Sequence, residues 1–457
     1  MNQPSPAPIT RLAAEFVVAN RNAVFPADVI EVVRTGVTDT IASMLAAINE
    51  PVTKIVCRTV RDQGGRAEIP YLLGEEKTTI DQAALINATA AHALDLDDYA
   101  FACHPSAVLV PVLLACGPYR GAAGKDLAAA YVAGYEIWAD LMLREPDHLH
   151  SVGWHPTPLF GCIGAAAAAS SLMGLDKTQA QHAIGLAASH AGGMMGNFGS
   201  MAKPYHAGKA AQAGVFSARL ALKGMTATED VLEGQKGLLQ TLSPNGRVDV
   251  TTPQEYHTFE RIQTFALNIK KYPTVGSSQR AIESVLSHLA NERVDMNSIE
   301  KIEPLVSEKH ASIMIFHRAS KPEEAKFCLE FAMACALLHG RVGLRELTLE
   351  AVCEPALQAL MEKVHIRTTK EYDPNYPVAA PADYVTITFK NGEQITTPPI
   401  KRARGHADIP LSREELLEKF VDCADFGGIS KRKAHELFDL VQRVDTWTSK
   451  DVDLLRL

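Results

Sequence analysis

Apolar residues recur at three- and four-residue spacing through most of positions 10–265, with few alternating stretches. That periodicity predicts packed amphipathic helices. The clearest segments are 81–98, 125–144, 161–172, 177–189 and 208–223, and most carry alanine-rich faces that let helix axes approach closely. Asp176, followed by Lys-Thr-Gln and an apolar periodic stretch, reads as a helix N-cap. Past Lys270 the texture changes. Positions 299–306 and 384–389 alternate apolar and polar residues, Asn391-Gly392 supplies a tight turn, and 393–397 offers the returning strand of a hairpin. Helical stretches at 277–289 and 325–338 lie between them, and helical spacing returns at 412–420 and 431–440. The pattern therefore predicts a mainly α protein. A large multihelical domain is built from both chain ends, 1–268 and 398–457, and a smaller α+β domain, 269–397, is inserted.

Length and composition fit that division: 457 residues exceed what one core usually serves, and 47% apolar with 21% charged residues is ordinary for a globular chain. A net charge of −8, without a strongly basic stretch, argues against nucleic-acid binding, which needs a basic face to displace counterions. The longest strongly apolar runs, 107–116 and 162–173, fall short of the roughly 18–20 residues that span a bilayer, so no membrane partner is expected. The opening MNQPSPAPITRLAAEFV lacks a basic then apolar export signal; a loose arm and a cytoplasmic location are expected. The eight cysteines show no zinc-like spacing and read as small buried hydrophobes. Cys103, beside His104, is the one thiol weighed as a nucleophile, and chain neighbours usually point apart.

Four segments carry candidate chemistry. In the first, Leu85, Ala88, His92, Asp95 and Tyr99 step by three and four, so an apolar helix stripe runs into a His and an acid. A buried carboxylate there needs a cation or several donors; a structural His–Asp pair is the plainer alternative. In the second, Gly153-Trp154-His155-Pro156-Thr157, the proline holds His155 extended at a helix start, where it serves chemistry or packs on Trp154. In the third, Gly192 to Gly208, glycines surround Lys203 and His206, which suggests a backbone in close approach to something and an ammonium aimed at an anion. The spacing is not that of a phosphate-binding P-loop. The fourth, Lys270-Lys271-Tyr272-Pro273, stands at the junction of the two domains, where small ligands commonly bind. His104, His155, Lys203 and Lys270 with the acid Asp95 suit a substrate bearing several carboxylates, and no motif supports a metal, nicotinamide or flavin.

The segments HALDLDDY, HPSAVLVPVLLA, GWHPTPLFGCIGAAAAAS, NFGSMAKPYHAGKAAQAGVFSA and IKKYPTVGSSQRA, in this order, resemble the MmgE/PrpD family of 2-methylcitrate dehydratases, cis-aconitate decarboxylases and iminodisuccinate epimerases. The resemblance spans roughly residues 10–445. It implies a helical domain from both chain ends, an inserted α+β lid, a homodimer and a cofactor-free site in the interdomain cleft. It also implies that Asp95, His104, His155, Lys203 and Lys270 are the polar groups of that site; Asp95, His104, His155 and Lys203 are expected to be catalytic, Lys270, Tyr99 and His206 to contact substrate, and no metal is expected. Three departures stand out. Asp97-Asp98-Tyr99 replaces the family's DDT, KKYPTVGSS replaces a KPYPCC-like run, and the tyrosine that decarboxylases carry in the lid has no clear counterpart near Met314 to Arg318. The Gly-Trp-His-Pro-Thr and Asn-Phe-Gly-Ser-Met segments look closer to the epimerase branch. The expected function is proton-transfer chemistry on a small polycarboxylate such as 2-methylcitrate or cis-aconitate, as a dehydrating or decarboxylating lyase. Alternatives are an epimerase and a non-catalytic polycarboxylate binder.

Overall fold

The computed structural model describes residues 5–451 and 455–457; part of the expected N-terminal arm, positions 1–4, lies outside the described residues. Helices α1 (Ile9–Ala19), α2 (Ala27–Ala46), α3 (Pro51–Gln63), α4 (Ile80–His92), α5 (Pro105–Arg120), α6 (Gly124–Leu143), α7 (Pro156–Met173), α8 (Lys177–Ala188) and α9 (Ala202–Leu222) form a bundle around one apolar core. Helix α7 is its centre, buried along its whole length and packed on α5, α6, α8 and α9. By length and hydropathy alone α7 could cross a membrane, which corrects the expectation that every apolar run is too short; its complete burial makes it a core helix instead. The anticipated cap at Asp176 is present, its side chain accepting from the Gln179 N–H at 2.8 Å.

The C-terminal helices Arg413–Phe426 and Lys431–Val441 join the same core. Lys419 reaches the buried Asp39 on α2 at 2.5 Å, and Arg34 grips Asp445 through two hydrogen bonds of 2.7 and 2.9 Å. Residues 272–395 enclose a second core. Strand Ile299–Ser307 pairs antiparallel with Tyr384–Phe389 and parallel with the short Arg367–Thr369; Gln394–Thr396 completes a four-stranded sheet. The Asn391-Gly392 hairpin forms as its sequence requires, with Gly392 at φ 86°. Helices Gln279–Leu289 and Leu329–His339 pack in the second core.

Two helix boundaries differ from the periodicity. The stripe through His92 was expected to continue to Tyr99, but α4 stops at His92 and Asp95 adopts φ 54°. Left-handed backbone costs an ordinary residue about 1–2 kcal/mol and is cheaper for Asp; here buried cations hold it, as described below. Phe101 and Ala102, in the same loop, also have positive φ. Lys203 lies not in a loop but one residue inside α9, which begins at Ala202. Gly208 serves helix contact, since a Cβ there would stand 2.7 Å from the Leu85 carbonyl oxygen on α4.

Candidate active site

Three helix starts converge on a cavity of about 100 Å³ lined by residues from both the earlier and the later part of the chain, Tyr99 to Lys270 and Val275 to His406. His104 and His155 occupy the same local position. Each is the residue before a helix whose first position is proline, Pro105 of α5 and Pro156 of α7. Proline suits that position because its missing N–H would be unpaired anyway, and it keeps the residue before it out of the helical region. The third start is that of α9, bearing Lys203. Helix N-termini carry partial positive charge, so all three favour an anion in the cavity.

At the centre lies Asp95, buried together with both of its lysines. Its Oδ1 accepts from Lys203 Nζ at 2.6 Å and lies 3.1 Å from Lys270 Nζ, while its backbone carbonyl accepts from Lys270 at 2.7 Å. Two ammonium contacts on the residue explain its left-handed backbone. Burial pushes the Asp95 carboxyl up, but Lys203 and then Lys270 outweigh it and hold it well below the usual carboxylate range. Burial pulls the Lys203 ammonium down, and Asp95 opposes that. Lys203 Nζ also lies 5.4 and 5.2 Å from the ring centres of Phe198 and Phe327, a partly aromatic cage for the cation.

The histidines surround this group. His92 Nε2 is 3.0 Å from Lys203 Nζ, and His92 Nδ1 is 2.9 Å from Asp97 Oδ2. His104 Nδ1 meets the same Asp97 Oδ2 at 2.9 Å and the Asp98 carbonyl at 2.8 Å, leaving Nε2 4.0 Å from Asp95 Oδ1. His155 lines the cavity; its Nδ1 contacts His206 Nδ1 at 3.1 Å, and its ring meets Phe198 edge to face at 5.0 Å. The packing partner considered for it, Trp154, is not its ring neighbour. Burial lowers His92 to about 3, lowers His104, and takes His155 well below the ordinary imidazole range, so all three rings are neutral near pH 7.

Asp95, Tyr99, His104, His155, Lys203 and Lys270 thus gather at one place, five of them lining the cavity and Asp95 beneath it. Tyr99 is held there by a two-way backbone pairing with Asn268, which also fixes the chain leading into Lys270. His206 is placed otherwise. It stands behind His155 and lines a separate surface groove rather than this cavity. Cys103 is fully buried and burial pushes its thiol far up, so it is no nucleophile.

Sequence reasoning passed over several cavity residues: His148 and His150 just before the His155 loop, and His310, Arg280, Tyr376 and Arg402 from the later part of the chain. The pair His148-Leu-His150 was the available signal, five residues ahead of His155. Nothing local marks Tyr376, a phenol from the later part of the chain that reaches the cavity far from Met314 to Arg318. Arg280 and Arg402 are already paired, with Asp383 at 3.0 Å and Asp373 at 2.7 Å.

His92, Asp95, Asp97 and His104 bring one ligand-type atom each within 4.8 Å of one another, a donor set able to hold a divalent ion. The Lys203 ammonium already bonds Asp95 Oδ1 and His92 Nε2, and both Nδ1 atoms are engaged by Asp97. The four residues are thus arranged around a resident ammonium, which an ion would have to displace.

The family model of the MmgE/PrpD N-terminal domain matches residues 11–251, and that of the MmgE/PrpD C-terminal domain matches residues 272–445. The chain belongs to the MmgE/PrpD family. Among relatives within and around this family, the chain is 28% identical to cis-aconitate decarboxylase of Homo sapiens over 350 residues, covering 74% of this chain and 71% of that one. It is 28% identical to cis-aconitate decarboxylase of Mus musculus, covering 74% and 70%. It is 25% identical to the cis-aconitate decarboxylase-like protein oryM of Aspergillus oryzae over 445 residues, covering 90% and 89%. These MmgE/PrpD relatives are named as decarboxylases, whereas the Gly-Trp-His-Pro-Thr segment had looked closer to the epimerase branch.

Proposed function

We propose that this protein is a cofactor-independent lyase that decarboxylates a small polycarboxylate of the cis-aconitate type. The observation that carries the reading is the Lys203–Asp95–Lys270 cluster beneath a cavity walled by His104 and His155. Two ammoniums tied to one carboxylate leave positive potential facing the cavity, and three helix N-termini add to it. A substrate carboxylate set against the lysines is oriented and its charge balanced. Loss of carbon dioxide leaves an electron pair on carbon, which the ammoniums stabilise when it delocalises onto a neighbouring carboxylate. The carbon then takes a proton: R–COO⁻ + H⁺ → R–H + CO₂. His155 is the donor in this scheme, because its Nδ1 faces His206 and its remaining nitrogen, Nε2, is free. The names of these three relatives, cis-aconitate decarboxylases or like them, support decarboxylation over the other reactions of the scaffold.

The test is turnover of cis-aconitate, 2-methylcitrate, citrate and iminodisuccinate, each with and without EDTA, following carbon dioxide and product mass. Carbon dioxide released from a tricarboxylate, unaffected by EDTA, is the expected result. Loss of water instead makes the protein a dehydratase, inversion without mass change makes it an epimerase, and binding without turnover refutes the enzyme reading.

A further inference from the structure

Asp97 does not line the cavity, yet it contacts two rings of the site, His104 in the cavity wall and His92 behind Lys203. It is completely buried, and its Oδ2 lies 2.9 Å from Nδ1 of both His92 and His104, whose ring centres are only 4.4 Å apart. An ionised carboxylate and a carbonyl can only accept hydrogen bonds, so His92 Nδ1, bonded to Asp97, and His104 Nδ1, bonded to the Asp98 carbonyl at 2.8 Å beside Asp97, must each carry its proton. Burial would raise the Asp97 carboxyl, but His92 and His104 outweigh it and hold it well below its ordinary range, so it is ionised. A neutral imidazole with its proton on Nδ1 has a bare Nε2. On His92 that lone pair accepts an N–H from Lys203 at 3.0 Å. On His104 it stands 4.0 Å from Asp95 Oδ1, too far for a hydrogen bond and unable to make one with a second acceptor, so it is open to the cavity.

The consequence runs through a chain of contacts. Asp97 sets His92, His92 and Asp95 fix two of the three N–H bonds of Lys203, and the ammonium is thereby aimed. We infer that Asp97 is a positioning residue that, without touching substrate, imposes the Nδ1–H tautomer on His92, reinforces on His104 the same tautomer that the Asp98 carbonyl selects, and through His92 sets the direction of Lys203. With the opposite tautomer, His92 would present an N–H to an ammonium, and His104 would present a donor to the cavity where it now presents an acceptor. The two rings are not equally dependent on Asp97. The Asp98 carbonyl, 2.8 Å from His104 Nδ1, is the hydrogen-bond acceptor of that ring with Asp97 as a charged neighbour at 2.9 Å, whereas Asp97 itself is the acceptor for His92 Nδ1.

The inference rests on the proposed function only for its kinetic consequence. Its first test needs no substrate: ¹⁵N spectra of histidine-labelled protein at pH 7, with His92 and His104 assigned through His92→Gln and His104→Gln. Both rings are expected as neutral Nδ1–H tautomers. An Nε2–H tautomer or an imidazolium at either ring overturns the inference, whether or not any Asp97 variant folds. In Asp97→Asn, whose amide can donate as well as accept, His92 is expected to lose the Nδ1–H tautomer while His104 retains part of it through Asp98. The kcat is expected to fall at least about tenfold, the usual scale for residues that orient a working imidazole. Asp97→Glu, which keeps the carboxylate, should recover part of both signals. Unchanged ring tautomers in a folded Asp97→Asn, or Asp97→Glu no better than Asp97→Asn in both tautomer and kcat, would also overturn it. Absence of turnover in the unmodified protein counts against the polycarboxylate reading, and the spectra still decide the role of Asp97.

Discussion

Lys203→Met removes one charge from the centre of the site while keeping most of the side chain's bulk between Phe198 and Phe327. Breaking a buried ion pair usually costs about 3–5 kcal/mol because the remaining charge is stranded. Here Asp95 keeps Lys270 at 3.1 Å and through its carbonyl at 2.7 Å, so the lower end, about 3 kcal/mol, is expected. Unfolding entropy of roughly 2 cal/mol/K per residue makes that a fall in Tm of only about 3 °C for a chain this long. The functional effect is larger. A charged hydrogen bond to a substrate carboxylate is worth about 1.5–3 kcal/mol, which raises KM by about ten- to a hundredfold. Steady-state kinetics and thermal melting on the same preparation measure both. A folded variant with the KM of the unmodified protein would remove Lys203 from substrate binding. A Tm lowered by more than about 10 °C with normal kinetics would make the Asp95 cluster a purely structural device.

His155→Gln should lower kcat by about a hundredfold to ten-thousandfold with little change in Tm, since Gln retains a hydrogen-bonding group towards His206 and loses proton transfer; a stable variant with most of its kcat would pass the role to His104. Burial takes His92, His150 and His310 down to about 3, against about 6.5 in an unfolded chain. Between those values the unfolded state binds protons that the native state refuses, so this contribution is complete above pH 6.5 and is lost as pH falls. Each ring contributes up to about 1.4 kcal/mol per pH unit, and Tm should drop steadily from pH 6.5 to pH 4; a Tm constant over that range would refute their burial as neutral rings. Gly208→Ala should cost about 1–3 kcal/mol by pressing a methyl group towards the Leu85 carbonyl, and should raise KM by moving α4, with His92, away from Lys203; wild-type Tm and KM would show that the helices tolerate the separation.

Much of this arrangement was legible because the relevant signals are local. The helical bundle follows from apolar periodicity, and His155 before Pro156 is extended for a reason written in the two residues themselves. The hairpin at Asn391-Gly392 has the same local origin. What escaped was set by distant partners. Periodicity ran the stripe through Asp95, but lysines 108 and 175 residues further along the chain take its side chain and carbonyl and stabilise a backbone that no helix contains. The glycines around Lys203 suggested a loop approaching a ligand, whereas Gly208 admits α4 to α9. His206 was grouped with Lys203 by proximity in sequence, and the two side chains line different cavities. Arg280, His310 and Tyr376 carry no spacing that points at residues two hundred positions earlier, so only the fold assembles them with Tyr99.

The charges at the centre suggest why neutral histidines suit this chemistry. Asp95 offsets one of its two lysines, Asp97 lies behind against His92 and His104, and burial keeps His104 and His155 uncharged. A polycarboxylate entering the cavity brings two or three negative charges beside those rings. Opposite charge within about 4–6 Å favours the protonated imidazole, reversing the effect of burial and of Lys203. Binding would therefore load the proton that the reaction consumes, and release of carbon dioxide and product would discharge it. On this argument kcat/KM, which reports the free protein, should lack the inflection near pH 6.5 of an ordinary histidine, and kcat, which reports the complex, should show one displaced to higher pH. Coincident inflections in the two profiles would mean that substrate charge does not reach His155, and would undo the assignment of that ring as the donor.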